Sequence, residues 1–285
     1  MKAVSNSDQL CIFIPCSYKE YLNNQLDIFL TSFFEKRTSK NISFDFYFFF
    51  DHIEEYNELY DCIDKHFQKY RFNKFYLYSF NLHIEHNFFD LYLDLENPID
   101  FIPDAGSTSG PNKLFFKSIF FLLHHFHQYK YFLLLETDVV ITKDFWLDEV
   151  LSFTKNQNFL IAGSKYKGVN NSHKTLKYKN HLNGVAIYKN SHYLYELIIN
   201  VDSYIYEEIS HKNSFGVCYD TAIDFWLQTK EGISFSSKIP PLIDVDFITN
   251  CSDSSDIFTS LETTLKLYPK TLILHKKSKS HARIS

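Results

Sequence analysis

The stretch Tyr131-Phe132-Leu133-Leu134-Leu135-Glu136-Thr137-Asp138-Val139-Val140-Ile141 decides how the rest of the chain is read. It opens with an uncharged apolar run of the length of a buried strand, and the run ends in two carboxylates separated by one residue. A strand that simply ends in solvated acids is the plain reading. Against it, Val139-Val140-Ile141 is apolar again and Asp144-Phe145-Trp146-Leu147 starts a helix, so the two acids lie at a tight junction rather than on an open face. Paired acids at such a place suit a divalent cation, because Mg²⁺ and Mn²⁺ take carboxylate, phosphate and water oxygens and bridge readily to a diphosphate.

Immediately upstream, Ser107-Thr108-Ser109-Gly110-Pro111-Asn112 leads into a helix expected over residues 113–129. Pro111 suits a first helical turn, where its missing N–H costs nothing, and the small residues around it let a ligand approach free backbone N–H groups. Further upstream, residues 10–15 read as a strand and residues 20–35 as a helix, with apolar positions Leu22, Leu26, Phe29, Leu30 and Phe33. A second strand over 44–50, a helix over 54–70 and a third strand over 74–80 continue the alternation.

Strands alternating with amphipathic helices imply a mostly parallel α/β sheet with helices on both faces, since parallel strands need crossover connections. Ligands of such sheets bind beyond the carboxyl ends of the strands. Those ends are residues 15–18, Asp51-His52 and residues 136–138. Downstream the pattern predicts a helix over 143–153, a strand over 159–162, a polar loop over 165–183 and a short strand over 184–188. Helices over 191–200 and 220–228, separated by a loop over 201–215, and a last strand over 271–275 complete it.

Composition excludes several classes. A formal charge of -5 argues against affinity gained by covering nucleic-acid phosphates with Lys and Arg, while a nucleotide-sized ligand stays compatible. The first eight residues lack an apolar signal-peptide core and no run approaches the roughly 18 apolar residues that span a bilayer, so a cytoplasmic setting without a transmembrane segment is expected. Five cysteines without a C-x-x-C pair indicate neither a disulfide framework nor a cysteine zinc site. His124, His125 and His127 lack the Glu of an H-E-x-x-H zinc motif. The 30 Phe and 20 Tyr read as compositional bias rather than a cofactor box, and the basic tail from Lys276 to Arg283 as a solvated terminus.

With these residues in view, the chain resembles the GT-A glycosyltransferases, whose signature is a D-x-D or E-x-D motif at a strand end of a nucleotide-binding sheet. The resemblance is carried by Ser109-Gly110-Pro111-Asn112, the Phe-rich helix after it, Leu134-Leu135-Glu136-Thr137-Asp138 and Trp146-Leu147, and it spans about residues 109–226. It looks like a group of viral and bacterial GT-A domains and, more distantly, N-acetylglucosaminyltransferase I. The resemblance implies a Rossmann-like, mostly parallel sheet with a smaller acceptor-side part. One domain over 1–285 is expected, with a nucleotide-sugar half over 1–138 and an acceptor half over 139–285.

Residue by residue, the resemblance implies that Asp138 ligates Mn²⁺ or Mg²⁺ directly. Glu136, a departure from the commoner Asp at that position, acts towards ribose or through water. Pro15, Ser17 and Asp51 stand where the fold presents the base and ribose; Asp51 reads either as an acceptor for uracil N3–H or as a turn cap. Ser109 and Asn112 are expected on the donor side. Asn183-Gly184 reads as a close approach for the sugar or as an ordinary β-turn. Asp220 stands where the family places an acid near the sugars and also reads as an N-cap; Asp224, four residues on, is its competitor for the general base. His275 reads as a further metal ligand or as a structural strand residue.

The function implied is metal-dependent transfer of a sugar from a nucleotide-diphosphate donor, with UDP-sugar expected, to a hydroxyl of an oligosaccharide or glycan. The likeness to N-acetylglucosaminyltransferase I favours inversion. Two competitors are a nucleotidyltransferase, which would need a Gly-rich basic N-terminal loop that Cys16-Ser17-Tyr18-Lys19-Glu20 does not supply, and a non-catalytic carbohydrate-binding or assembly protein of the same fold.

Overall fold

A computed structural model describes residues 10–38, 44–70, 74–82, 109–167, 181–212, 217–252 and 260–277. The first half runs β1 (Leu10–Cys16), α1 (Tyr18–Leu22), α2 (Gln25–Glu35), β2 (Asp45–Phe50), α3 (Tyr56–Tyr70), β3 (Lys74–Ser79), α4 (Ser109–His125) and β4 (Tyr131–Leu134). The second half runs β5 (Val139–Ile141), α5 (Trp146–Asn156), β6 (Ile161–Lys165), β7 (Leu182–Lys189), α6 (His192–Lys212), α7 (Tyr219–Leu227), α8 (Lys230–Ser236), β8 (Leu242–Asp244), β9 (Ile248–Ser252), α9 (Leu261–Leu267) and β10 (Ile273–Lys277).

Seven strands form one sheet in the order β3-β2-β1-β4-β7-β6-β8. The β3-β2, β2-β1, β1-β4 and β6-β8 pairs are parallel, while β7 runs antiparallel to both β4 and β6. The chain is thus an α/β protein with a mostly parallel sheet. Its aromatic residues explain why helices cover both faces. Along β2, successive side chains point to opposite sides. Phe46 and Phe48 meet Phe67 of α3, and Phe46 also meets Phe33 and Phe34 of α2. Tyr47 and Phe49 instead meet Phe126, just past α4, and Phe121 within it. The Phe and Tyr excess is therefore core material.

A second sheet, β5-β10-β9, pairs β10 antiparallel to β5 and parallel to β9. Of its strands β5 and β9 were not expected, nor was β8 at the edge of the large sheet: these are three to five residues long, too short for their periodicity to declare them. Other boundaries also differ. The helix expected from 143 starts at Trp146, because Phe145 adopts a left-handed backbone with φ 58° that helical residues do not take. The helix expected over 191–200 continues to Lys212, through most of the region read as a loop, because Leu194, Leu197, Ile198, Val201 and Ile205 extend one buried stripe. The helix expected from 113 opens at Ser109, with Pro111 in its first turn.

All five cysteines are free thiols, and His124, His125 and His127 are exposed. Among the described residues no helix is long and apolar enough to cross a membrane. Most of the polar loop expected over 165–183, part of the loop over 201–215 and most of the basic tail lie outside the described residues.

Candidate active site

The strand order places the site. From β1 the chain steps outward through β2 to β3, then returns through α4 to β4 on the other side of β1. The order therefore reverses between β1 and β4, and in open α/β sheets ligands bind beyond the carboxyl ends of the strands at such a reversal. Glu136-Thr137-Asp138 follows β4 directly at this point. The N–H of Leu135 donates to the Phe13 carbonyl of β1 at 3.1 Å, and the N–H of Val139 donates to the Glu136 carbonyl at 3.2 Å, which closes the acidic turn.

The second sheet supplies a third group. The β5–β10 register sets His275 opposite Val139, the residue after Asp138. Nε2 of His275 lies 3.0 Å from Oε2 of Glu136 and 3.1 Å from Oδ1 of Asp138. One ligand atom from each of the three residues falls within 4.8 Å of the other two. The imidazole is 5% exposed, against 34% for Glu136 and 19% for Asp138, so the cluster is closed behind the histidine and open past the acids. Burial opposes a charge on His275, but Asp138 and Glu136 outweigh it and hold the imidazole well above its ordinary value. Two carboxylates converging on one buried nitrogen donor form an oxygen-rich set that fits a divalent ion of the Mg²⁺ or Mn²⁺ kind.

The loop after β1 is tied to this turn. Ser17 caps α1: its Oγ accepts from the Glu20 N–H at 3.3 Å, and Oε2 of Glu20 accepts from the Ser17 N–H at 2.7 Å. The other Glu20 oxygen accepts from the Thr137 hydroxyl, which itself accepts from Nε2 of Gln25 at 3.0 Å. Burial pushes the Glu20 carboxyl up to about 7, against the lowering effect of its bonds from Thr137 and Ser17. Asp51, buried at the end of β2, accepts from the N–H groups of Tyr18 and His52, both at 2.8 Å, so it caps these turns. Its second oxygen lies 3.2 Å from Nδ1 of His52. Pro15 is half-buried in β1.

On the other side, Asn112 is buried and uses both ends of its amide on backbone: Nδ2 donates to the Val217 carbonyl at 2.8 Å and Oδ1 accepts from the Tyr219 N–H at 2.7 Å. It thereby fixes the entry into α7. The N-cap of that helix is Cys218, which corrects the expectation that Asp220 caps it; Asp220 sits in the first turn, one residue past the helix start. The correction follows from the Asn112 bonds, which set the helix start at Tyr219. Tyr219 stacks on Phe115 at 3.6 Å, and a Cβ at Gly184 would overlap its hydroxyl, so Gly184 makes room for a tyrosine here.

Oδ2 of Asp220 lies 3.5 Å from Nε2 of His181, and both side chains are mostly buried. Burial raises the Tyr188 and Tyr219 hydroxyls well above their ordinary value, and the charges of Asp220 and Glu136 both add to it. Asp224, by contrast, accepts from Gln228 at 2.8 Å along the helix. Ser109 opens α4, and its side chain is outside the described residues. Sequence reading missed His181, which no motif marks, and Glu20, whose Ser17-x-x-Glu20 spacing signals only a cap.

No protein-family model and no curated protein sequence matches the chain. Solved structures do match. The glycosyltransferase GlyE of Streptococcus pneumoniae superposes with a TM-score of 0.52 at 12% identity, over 96% of this chain and 55% of that one. The bifunctional glycosyltransferase WbbM gives 0.52 at 12% identity, over 96% of this chain and 46% of that one. Mouse xyloside xylosyltransferase 1 gives 0.49 at 14% identity, over 98% and 100%. The chain spans about half the length of the GlyE and WbbM chains. The likeness is one of fold: this α/β chain has the GT-A glycosyltransferase architecture.

Proposed function

We propose that the protein is a metal-dependent glycosyltransferase acting on a nucleotide-diphosphate sugar, with a UDP-sugar as donor and a carbohydrate hydroxyl as acceptor. The observation that carries this reading is the convergence of Glu136, Asp138 and His275 at the β1/β4 switch point of a GT-A sheet. These three residues would hold a Mn²⁺ or Mg²⁺ ion, which supplies Lewis-acid neutralisation of the charge that builds on the departing diphosphate. Residues 1–138 serve the donor and residues 139–285 the acceptor in this reading, within one unit.

Asp220 is the proposed base. Its place in the first turn of α7, near the positive end of the helix, favours an ionised carboxylate, and His181 at 3.5 Å holds it in orientation. As base it removes the acceptor hydroxyl proton while the sugar leaves the diphosphate, which inverts the anomeric centre. Gly184 and Tyr219 form the adjoining wall, and Asn112 fixes the backbone from which Asp220 projects. Ser17 and Asp51 shape the loop on the donor side.

Melting temperatures measured against UDP-, GDP- and CMP-sugars, with and without Mn²⁺, test the reading. Stabilisation by a UDP-sugar that requires Mn²⁺, followed by UDP release with an added glycan acceptor, is the expected result. Mn²⁺-dependent donor binding without any turnover across acceptors would point to a carbohydrate-binding protein instead. Absence of any nucleotide-sugar response would overturn the assignment.

A further inference from the structure

Thr137 stands between the two acids of the motif, and it is 4% exposed. A residue in that position need only fill space, yet its hydroxyl is used twice: it donates to Oε1 of Glu20 and accepts from Nε2 of Gln25 at 3.0 Å. Glu20 is also used on both sides. Its Oε2 accepts from the N–H and the hydroxyl of Ser17, at 2.7 and 3.0 Å, while Oε1 reaches across to Thr137. An ordinary capping box ends at the N-cap residue. Here the same carboxylate spans the gap between the loop after β1 and the turn after β4, the two strands at which the sheet order reverses.

That turn needs an external hold. Within it the described backbone bond is Val139 N–H to the Glu136 carbonyl, and it carries two carboxylates that repel each other and must point the same way to share an ion. A cap needs only the oxygen that meets Ser17; the second side-chain terminus of residue 20 is what reaches Thr137.

We propose that Glu20 is a positioning residue of the metal site: through Thr137 it fixes the backbone from which Glu136 and Asp138 project, and so sets metal affinity without touching the ion. The inference rests on the metal reading given above. Residues that orient metal ligands in this way typically change affinity by about 10- to 100-fold when removed.

Mn²⁺ binding to the full chain, followed by the electron paramagnetic resonance of free Mn²⁺ with no nucleotide present, is the test. Glu20→Ala and Thr137→Val should each weaken Mn²⁺ by about 10- to 100-fold. The double variant should lose much less Mn²⁺ affinity than the product of the two single losses, because both substitutions break the same Glu20–Thr137 bond. Glu20→Gln, which keeps the reach and can donate to the Thr137 oxygen, and Thr137→Ser, which keeps the hydroxyl, should retain most of the affinity. If Glu20→Ala fails to fold, Thr137→Val, of nearly the same shape, still reads the bond. Wild-type Mn²⁺ affinity in Thr137→Val, or equal losses in Glu20→Gln and Glu20→Ala, would overturn the positioning role. A wild-type chain that binds no Mn²⁺ is a different outcome, and it overturns the metal reading together with this one.

Discussion

Nε2 of His275 stands 3.0 Å from Oε2 of Glu136, held there by the antiparallel register that sets His275 opposite Val139. In the metal-free protein the imidazole therefore carries a proton that both acids stabilise, so its folded pKa lies above the unfolded value of about 6.5. A raised histidine contributes stability that is fully present below the unfolded pKa and is lost as pH rises through the folded one. In EDTA the melting temperature should fall as pH rises above about 6.5, and His275→Gln should flatten that slope. With Mn²⁺ the trend reverses, because a bound ion must displace the proton. Calorimetry in buffers of different ionisation enthalpy should show proton release on Mn²⁺ binding, and its absence would leave His275 structural.

Asp138→Ala should abolish the Mn²⁺-dependent stabilisation by donor, about 2.7 kcal/mol at a ligand concentration 100-fold above Kd, while the metal-free protein melts as a folded chain. Glu136 is the more exposed of the two acids, so its hold on the ion is more readily replaced by water and Glu136→Gln should weaken donor less. Complete loss of Mn²⁺ binding in Glu136→Gln with retention in Asp138→Ala would mean that the two roles are exchanged.

Gly184→Ala should destabilise the fold by about 1–3 kcal/mol, since the added methyl overlaps the Tyr219 hydroxyl and must push that ring off Phe115. The displacement would carry the start of α7 with it, so turnover should fall too. Tyr219→Phe in the same chain removes the closest overlap and should recover part of the stability. Urea denaturation of the single and double variants measures both effects.

Asp220→Asn preserves size and most hydrogen bonding, so its cost should appear in turnover: roughly 10²- to 10⁴-fold in kcat, with donor affinity nearly retained. Asp224→Asn, which among the described residues disturbs a bond from Gln228, should stay close to wild type. Normal turnover in Asp220→Asn with loss in Asp224→Asn would move the base one turn along α7. Proton NMR of the first-formed product reads the anomer, and retention of configuration would remove the base role from Asp220.

The buried runs and their periodicity were legible in the chain before any coordinates. Residues 10–15, 44–50, 74–80 and 131–135 are strands within one residue of where their apolar runs fall, because such runs are local. Alternation with amphipathic helices is enough to demand crossovers, and crossovers demand a largely parallel sheet. Glu136 and Asp138 were equally plain, since two acids at the end of a buried strand stand out without knowledge of any neighbour.

The partners of those acids were decided only by tertiary structure. His275 reaches them through β5 and β10, strands of three and five residues whose pairing is set by long-range register rather than by a pattern either strand displays. Glu20 carries a legible capping signature, yet its bond to Thr137 exists because β1 and β4 lie side by side. Asp220 looked like a helix cap and is displaced from that role by Asn112, more than a hundred residues earlier, which holds the Tyr219 N–H. Backbone propensity and apolar spacing act over a few residues and so can be read along the chain; a site is made of side chains from several strand ends, and only packing determines which of them meet.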